Sequence, residues 1–126
     1  MSEQDALHVC KRYFLAWSSG GLDAAAGWLA DDLAVEVPIN HYPTKASFVR
    51  AVGLTQESCS GITTLSQLGG QGEAVLLYDM TLPFGVMRVA EHFAVSDNKI
   101  THLRQVHDTH QLRQAMAAMG RNASQE

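Results

Sequence analysis

The sequence has no long hydrophobic run, few cysteines and a start that is unlike a secretory signal. No apolar stretch approaches the ~20 residues that a membrane-spanning helix needs. The acidic, polar start lacks the basic and apolar regions of a signal peptide. Cys10 and Cys59 are the 2 cysteines, and they form neither a CxxC pair nor a disulfide framework. These absences favour a soluble protein in a reducing, cytoplasmic setting.

Positive charge is also scarce. The chain has 9 Lys and Arg against 13 Asp and Glu, for a net charge of -4, and no basic stripe that could neutralise a row of phosphates. This pattern argues against nucleic-acid binding. His107, Asp108 and His110 form a short H-D-x-H motif of residue types that can bind a metal. However, two histidines three residues apart across the end of a strand do not converge on one ion as histidines on a helix do. We therefore expect no metal and no cofactor.

What the chain does have is enough apolar sequence for one core. It contains 126 residues, of which 46% are hydrophobic, and this predicts a single domain over 1–126 with an ordered core of about 5–119. Helical spacing of apolar residues predicts a first helix over 5–17, followed by a second helix capped by Asp23 that ends near 31–32. A third helix is expected to start at Thr44 and to end at Gly53.

Strand patterns follow. Period-two alternation predicts a strand over 33–37 and four more over 62–68, 74–82, 86–96 and 99–108, separated by short Gly, Pro or Asp-Asn turns. A closing helix is expected from His110, with Gly120 as its end. Helices first and an antiparallel meander afterwards indicate an α+β fold, with helices packed on one face of a curved sheet.

The turn at Asp97 and Asn98 predicts which side chains share a face. A two-residue hairpin pairs Phe93 with His102, Glu91 with Arg104, and Val89 with Val106, and this more apolar face is expected to lie under the helices. Glu91, Arg104 and Asp108 would then line a pocket. Glu91 and Arg104 could instead form an ion pair at a wet sheet edge, and a β-bulge would exchange the faces.

On the preceding strand, the length of the turn over 83–85 leaves open whether Tyr78 or Asp79 faces the pocket. The two side chains point to opposite faces of the sheet, so only one of them can contribute.

Three strings carry a resemblance to a known family. They are Arg12-Tyr13-Phe14, residues 29–38 (LADDLAVEVP) and residues 93–100 (FAVSDNKI). In order and spacing over about 6–112, the chain resembles the nuclear transport factor 2-like superfamily, particularly its ketosteroid-isomerase-like and SnoaL-like (polyketide-cyclase-like) branches. The resemblance implies a cone-shaped fold, with three N-terminal helices on a strongly curved, mostly antiparallel mixed sheet and a short C-terminal helix.

The resemblance also implies roles for single residues. Tyr13 matches the tyrosine that stabilises an oxyanion in the isomerases, and Glu91 matches their second oxyanion donor. Their general base falls on Val37, which cannot accept a proton. His41, on the next loop, could replace that base. Asp108 matches the acid/base of the cyclases, but it could equally cap the last helix.

The expected function follows from these roles. The chain is predicted to be an isomerase or cyclase that acts on an enol or ketone, while a non-catalytic binding module is the alternative. An epoxide hydrolase built on Asp79, Arg104 and Asp108 ranks lower. The ligand is expected to be a mostly hydrophobic small molecule. The predicted pocket walls are Trp17, Val37, Phe48, Phe93 and Val106.

A homodimer is expected from family habit. Its interface would be the outer sheet face, where Ala90, Ala94 and Gln105 present small or polar side chains.

Overall fold

The N-terminal half of the chain forms three helices and one strand. A computed structural model describes residues 5–125, with side chains over 5–118. The elements of this half are α1 (Ala6–Ser18), α2 (Leu22–Ala26), β1 (Leu29–Glu36) and α3 (Lys45–Ser58). The second half continues with β2 (Gly61–Gly70), β3 (Glu73–Leu82), β4 (Gly85–Ser96), β5 (Lys99–His107) and α4 (His110–Gln125).

The five strands form one mixed sheet in the order β1-β5-β4-β3-β2. β1 runs parallel to β5, and the other neighbours are antiparallel. This confirms the predicted α+β architecture and the mostly antiparallel mixed sheet. In the described part of the chain, no helix is long and apolar enough to cross a membrane.

Polar side chains at the helix starts explain where α1 and α3 begin. Asp5 accepts a hydrogen bond from the backbone of Leu7 at 2.8 Å. Thr44 and Ser47 form a reciprocal capping box, with N–H to oxygen distances of 3.1 and 3.2 Å. Each cap satisfies a backbone N–H that has no partner within the helix. The predicted cap at Thr44 is confirmed.

Several predicted helix ends were wrong. α2 begins after Gly21 and places Asp23 in its first turn, so Asp23 does not cap it. α3 continues past Gly53, where a Cβ would lie 2.9 Å from the Leu22 side chain. Gly53 is therefore a close contact between α3 and α2 and not a helix end. α4 likewise continues past Gly120.

The hairpin between β4 and β5 decides the inner face of the sheet. Asp97 and Asn98 have φ of 52° and 61°, as a two-residue turn that matches strand twist requires. Val95 pairs with Ile100 as predicted, but the register then shifts, so that Ala94 pairs with His102. Thr101 is the extra residue of this bulge.

The predicted pairs beyond the bulge were therefore wrong. Glu91 lies opposite Gln105, and Ala90 lies opposite Val106. A shift of one residue exchanges every later side chain of β5 between the two faces of the sheet. The inner face carries Leu103, Gln105 and His107, while the outer face carries Arg104 and Val106.

The core lies between α1 and the inner face of the sheet. Phe14 packs edge-to-face on Tyr78, with ring centroids 4.7 Å apart, and Tyr13 packs edge-to-face on Phe93 at 6.1 Å. Beside this core lies a cavity whose lining includes Tyr13, Tyr78 and residues of α3 and α4. The candidate site is this cavity.

Candidate functional site

A cavity of about 630 Å³ opens beside the core. This volume falls within the range of small-molecule sites. Its walls come from α1, α3, α4 and the inner face of β3, β4 and β5, and most of the lining is apolar. Aromatic and aliphatic side chains dominate, including Trp17, Phe48, Met80, Phe84, Leu112 and Met116.

A buried carboxyl lies in this apolar wall. Glu91 is 1% exposed, and it is the only buried charged residue among those described. The Tyr78 hydroxyl donates a hydrogen bond to Glu91 Oε1 at 3.1 Å, and Gln105 Nε2 donates to Oε2 at 2.8 Å. Both carboxyl oxygens are thus held by neutral donors from the neighbouring strands, β3 and β5.

The surroundings of Glu91 shift its titration toward neutrality. Burial raises the pKa of Glu91 to about 7, while the hydrogen bonds from Gln105 and Tyr78 oppose the rise. Desolvation penalises the charged form, and hydrogen bonds to a carboxylate favour it. The protonated and ionised forms are therefore both populated near neutral pH, as general acid/base chemistry requires.

Three other titratable groups near Glu91 keep their protons. Burial, followed by the charge of Glu91, raises the pKa of Cys10 to about 12 and raises the pKa of both Tyr13 and Tyr78 well above the ordinary value. The two phenols consequently keep their protons: Tyr78 donates its proton to Glu91, and Tyr13 can donate to a ligand in the cavity.

The structure brings together part of the predicted site. Tyr13 and Glu91 line the cavity, as do Trp17, Val37 and Phe48. Val37 directly follows β1, and its apolar side chain occupies the position to which the sequence resemblance assigned a general base. Phe93, predicted as a pocket wall, is not in the cavity lining; it is buried in the core and packs edge-to-face on Tyr13.

Arg104 and Val106 point away from the cavity, against the prediction. Arg104 Nε donates to Glu36 Oε2 at 2.9 Å on the outer face, and Val106 is 69% exposed. Both corrections have one cause, since the bulge at Thr101 exchanges the faces of β5. The predicted contact between Glu91 and Arg104 therefore does not form.

Asp108 and His41 also lie outside the cavity lining, and both are exposed. Asp108 Oδ1 accepts a hydrogen bond from the backbone of His110 at 2.9 Å, where α4 begins. The structure thus gives Asp108 the helix-start role that was the alternative in the sequence analysis.

The sequence left open whether Tyr78 or Asp79 on β3 faces the pocket. In the structure, Tyr78 lines the cavity. Asp79 lies on the other face and pairs with Arg88, with contacts of 2.8 and 3.0 Å. The epoxide hydrolase set of Asp79, Arg104 and Asp108 is therefore not assembled. Within the described residues, no group of three His, Cys, Asp or Glu side chains could hold a metal ion.

The sequence analysis missed Gln105 and His107 as cavity residues. Gln105 was assigned to the outer face because the bulge was not foreseen. The strand pattern contains no Gly or Pro at this point, so only the paired strands reveal the shift. The cavity side chains of α4, including Leu112 and Met116, were assigned to a closing helix without a role in the site.

No protein-family model and no curated protein matches the chain. Solved structures do. A protein from Kribbella flavida DSM 17836 is 27% identical with a TM-score of 0.85, and the match covers 94% of this chain and 99% of that one.

Two further structures carry descriptive names. An NTF2-like protein from Cytophaga hutchinsonii ATCC 33406 is 14% identical, with a TM-score of 0.74 over 89% of this chain and 98% of its own. A candidate ketosteroid isomerase from Kribbella flavida DSM 17836 is 17% identical, with a TM-score of 0.68 over 80% of this chain and 76% of its own.

These likenesses agree with the element order and the mixed five-stranded sheet. The resemblance inferred from the three sequence strings is confirmed at the level of the fold: the chain has the nuclear transport factor 2-like (NTF2-like) fold of the ketosteroid-isomerase-like and SnoaL-like proteins.

Proposed function

We propose that the protein is an isomerase-like or cyclase-like enzyme that moves a proton on an apolar ketone or enol without a cofactor. The observation that carries this proposal is Glu91, a carboxyl buried in an apolar cavity whose pKa is raised to about 7 by burial. A carboxyl of this kind can accept and return a proton at neutral pH.

The proposed step uses two residues that line the cavity. The Glu91 carboxylate takes a proton from the carbon beside the ligand carbonyl, and the C–H electron pair forms a C=C bond. The carbonyl π pair moves to oxygen, where the Tyr13 hydroxyl donates a hydrogen bond to the developing enolate. Where the ligand carries a C=C bond one carbon further from the carbonyl, the enolate is a conjugated dienolate. Its oxygen pair then re-forms the C=O bond, the C=C electrons shift by one position, and the far carbon takes the proton back from Glu91, which completes an isomerisation.

Tyr78 and Gln105 serve as positioning residues in this scheme. Their hydrogen bonds fix the carboxyl plane of Glu91 and stabilise its ionised form. Among the described residues, Glu91 is the one carboxyl in the cavity lining, so no other carboxyl there can act as the base.

Proton exchange on a model ketone tests the proposal. In D₂O, 2-tetralone should lose its α-proton signals by NMR faster with the wild-type protein than with Glu91→Gln, which keeps the side-chain shape. Arg50→Gln changes an exposed side chain of α3 outside the cavity and should match the wild type. Equal exchange by wild type and Glu91→Gln would refute the assigned role of Glu91.

A non-catalytic ligand-binding module is the second candidate. It is favoured by Val37 and by the neutral donors that already occupy both oxygens of Glu91. Saturable binding of 2-tetralone without any acceleration of exchange would support this alternative.

A further inference from the structure

We propose that the same cavity is also a binding site for hydrophobic ammonium ions, with Glu91 as the counter-ion and the surrounding aromatic rings as the cage. The inference shares the cavity with the proposed function but none of its chemistry. It concerns equilibrium binding, and no turnover is needed to observe it.

The first argument is an uncompensated charge. The ion pairs formed by the described side chains involve Asp31, Glu36, Glu73 and Asp79, and none involves Glu91. Both partners of Glu91, Tyr78 and Gln105, are neutral. An ionised carboxyl buried without a cation is costly, so a ligand that brings a positive charge into the cavity removes that cost.

The second argument is the aromatic wall. A cation near the face of an aromatic ring is attracted by the ring's quadrupole, and the attraction is larger where water is excluded. Tyr42 and Phe48 pack edge-to-face at the α3 side, with centroids 5.8 Å apart. Both rings line the cavity, together with the rings of Tyr13, Trp17, Tyr78 and Phe84.

The third argument is the charge on the remaining walls. The cavity residues contributed by α3 and by the described part of α4 are uncharged. Three titratable residues lie near Glu91: Cys10 and Tyr13 on α1, and Tyr78 on β3. All three stay protonated and neutral, because burial raises their pKa. His107 on β5 is the one cavity side chain among those described that can carry a positive charge.

The test compares two molecules of nearly equal shape. Titration calorimetry measures the affinity of 1-adamantylamine, which stays protonated at neutral pH, and of the uncharged 1-adamantanol. At about pH 8, where Glu91 is mostly ionised, the amine should bind at least about tenfold more tightly than the alcohol.

Between about pH 6 and about pH 8 the amine should gain about tenfold in affinity, because the ionised fraction of a group that titrates near neutrality rises by that factor. The alcohol should gain nothing. Glu91→Gln should remove both the preference for the amine and its pH dependence, while retained binding of 1-adamantanol shows that the cavity remains intact.

His107→Gln removes the one other cavity side chain, among those described, that can carry a positive charge. It should keep the preference for the amine at about pH 8, because Glu91 and the aromatic rings are unchanged. If the amine binds no better than the alcohol at about pH 8, or if Glu91→Gln keeps the preference, the inference is wrong.

An absence of binding by 1-adamantylamine would also overturn the inference. The outcome is independent of the 2-tetralone experiment: an inactive protein can still select the amine, and an active one can fail to do so.

Discussion

The Tyr78 hydroxyl donates a hydrogen bond to Glu91 Oε1 across 3.1 Å at the inner face of the sheet. Tyr78 lies on β3 and Glu91 on β4, and strand alternation directs both side chains toward α1. The pair sets the polarity of an otherwise apolar cavity, because one partner supplies a proton donor and the other a carboxyl with a raised pKa.

We predict that Glu91 makes the protein less stable as pH rises. Its pKa is 4.5 in an exposed reference state and about 7 in the folded protein, so the folded state binds the extra proton between these values. The stabilisation is complete below about pH 4.5 and is lost as pH rises through about 7, amounting to about 3 kcal/mol. Urea unfolding at several pH values should show this slope for the wild type.

The matched variant for that experiment is Glu91→Gln. It should have a flatter pH profile, because it removes the titrating group and keeps the side-chain volume. A wild-type slope that Glu91→Gln leaves unchanged would mean that another group is responsible.

Tyr78→Phe should raise the pKa of Glu91 further. The substitution removes a donor that favours the carboxylate and leaves burial, the larger cause, in place. Carbon-13 NMR of the Glu91 carboxyl across a pH titration measures the shift directly. Tyr42→Phe removes a hydroxyl that is not a hydrogen-bond partner of Glu91; it is the control and should leave the titration unchanged. A lower pKa of Glu91 in Tyr78→Phe would contradict the prediction.

The extra residue Thr101 should be dispensable for the register. Deleting Thr101 removes the bulge and leaves His102 opposite Ala94 and Gln105 opposite Glu91, so Arg104 stays on the outer face. We expect the free energy of unfolding to fall by less than about 2 kcal/mol, because the core side chains keep their places.

Thr101→Ala keeps the residue count and should cost less than about 1 kcal/mol. Thermal unfolding by circular dichroism measures both variants. A loss of more than about 3 kcal/mol for the deletion would contradict the prediction and show that the bulge itself is needed.

We further expect a homodimer formed through the outer sheet face. Val86 and Val106 are 56% and 69% exposed there, and Ala90, opposite Val106, allows close approach. Gln105, which the sequence analysis assigned to this face, contributes to the cavity instead. Light scattering should give a dimer for the wild type and a monomer for Val106→Arg, which places a charge in the apolar contact.

Leu54→Arg is the control for that experiment, because Leu54 is equally exposed, at 61%, but lies on α3 away from the sheet. It should remain a dimer. A monomeric wild type would remove the expectation.

The elements that the sequence determined are those specified by local chemistry. Asp5 and Thr44 begin their helices because their side chains accept backbone N–H groups within a few residues. Asp97 and Asn98 close the last hairpin because both tolerate positive φ. The three family strings, read in order, gave the fold, and Tyr13, Trp17, Val37, Phe48 and Glu91 were placed correctly in one cavity.

Tertiary structure decided what depends on pairing between strands. The faces of β5 follow from one extra residue at Thr101, whose effect appears only when β5 pairs with β4. The same pairing brings Gln105 to Glu91 and keeps Arg104 away from it. Glu91 therefore has neutral hydrogen-bond donors and no positive charge beside it, unlike a carboxylate in an ion pair. Alternation along a strand can be read from sequence, but register cannot, because it is fixed by contacts between residues distant in the chain.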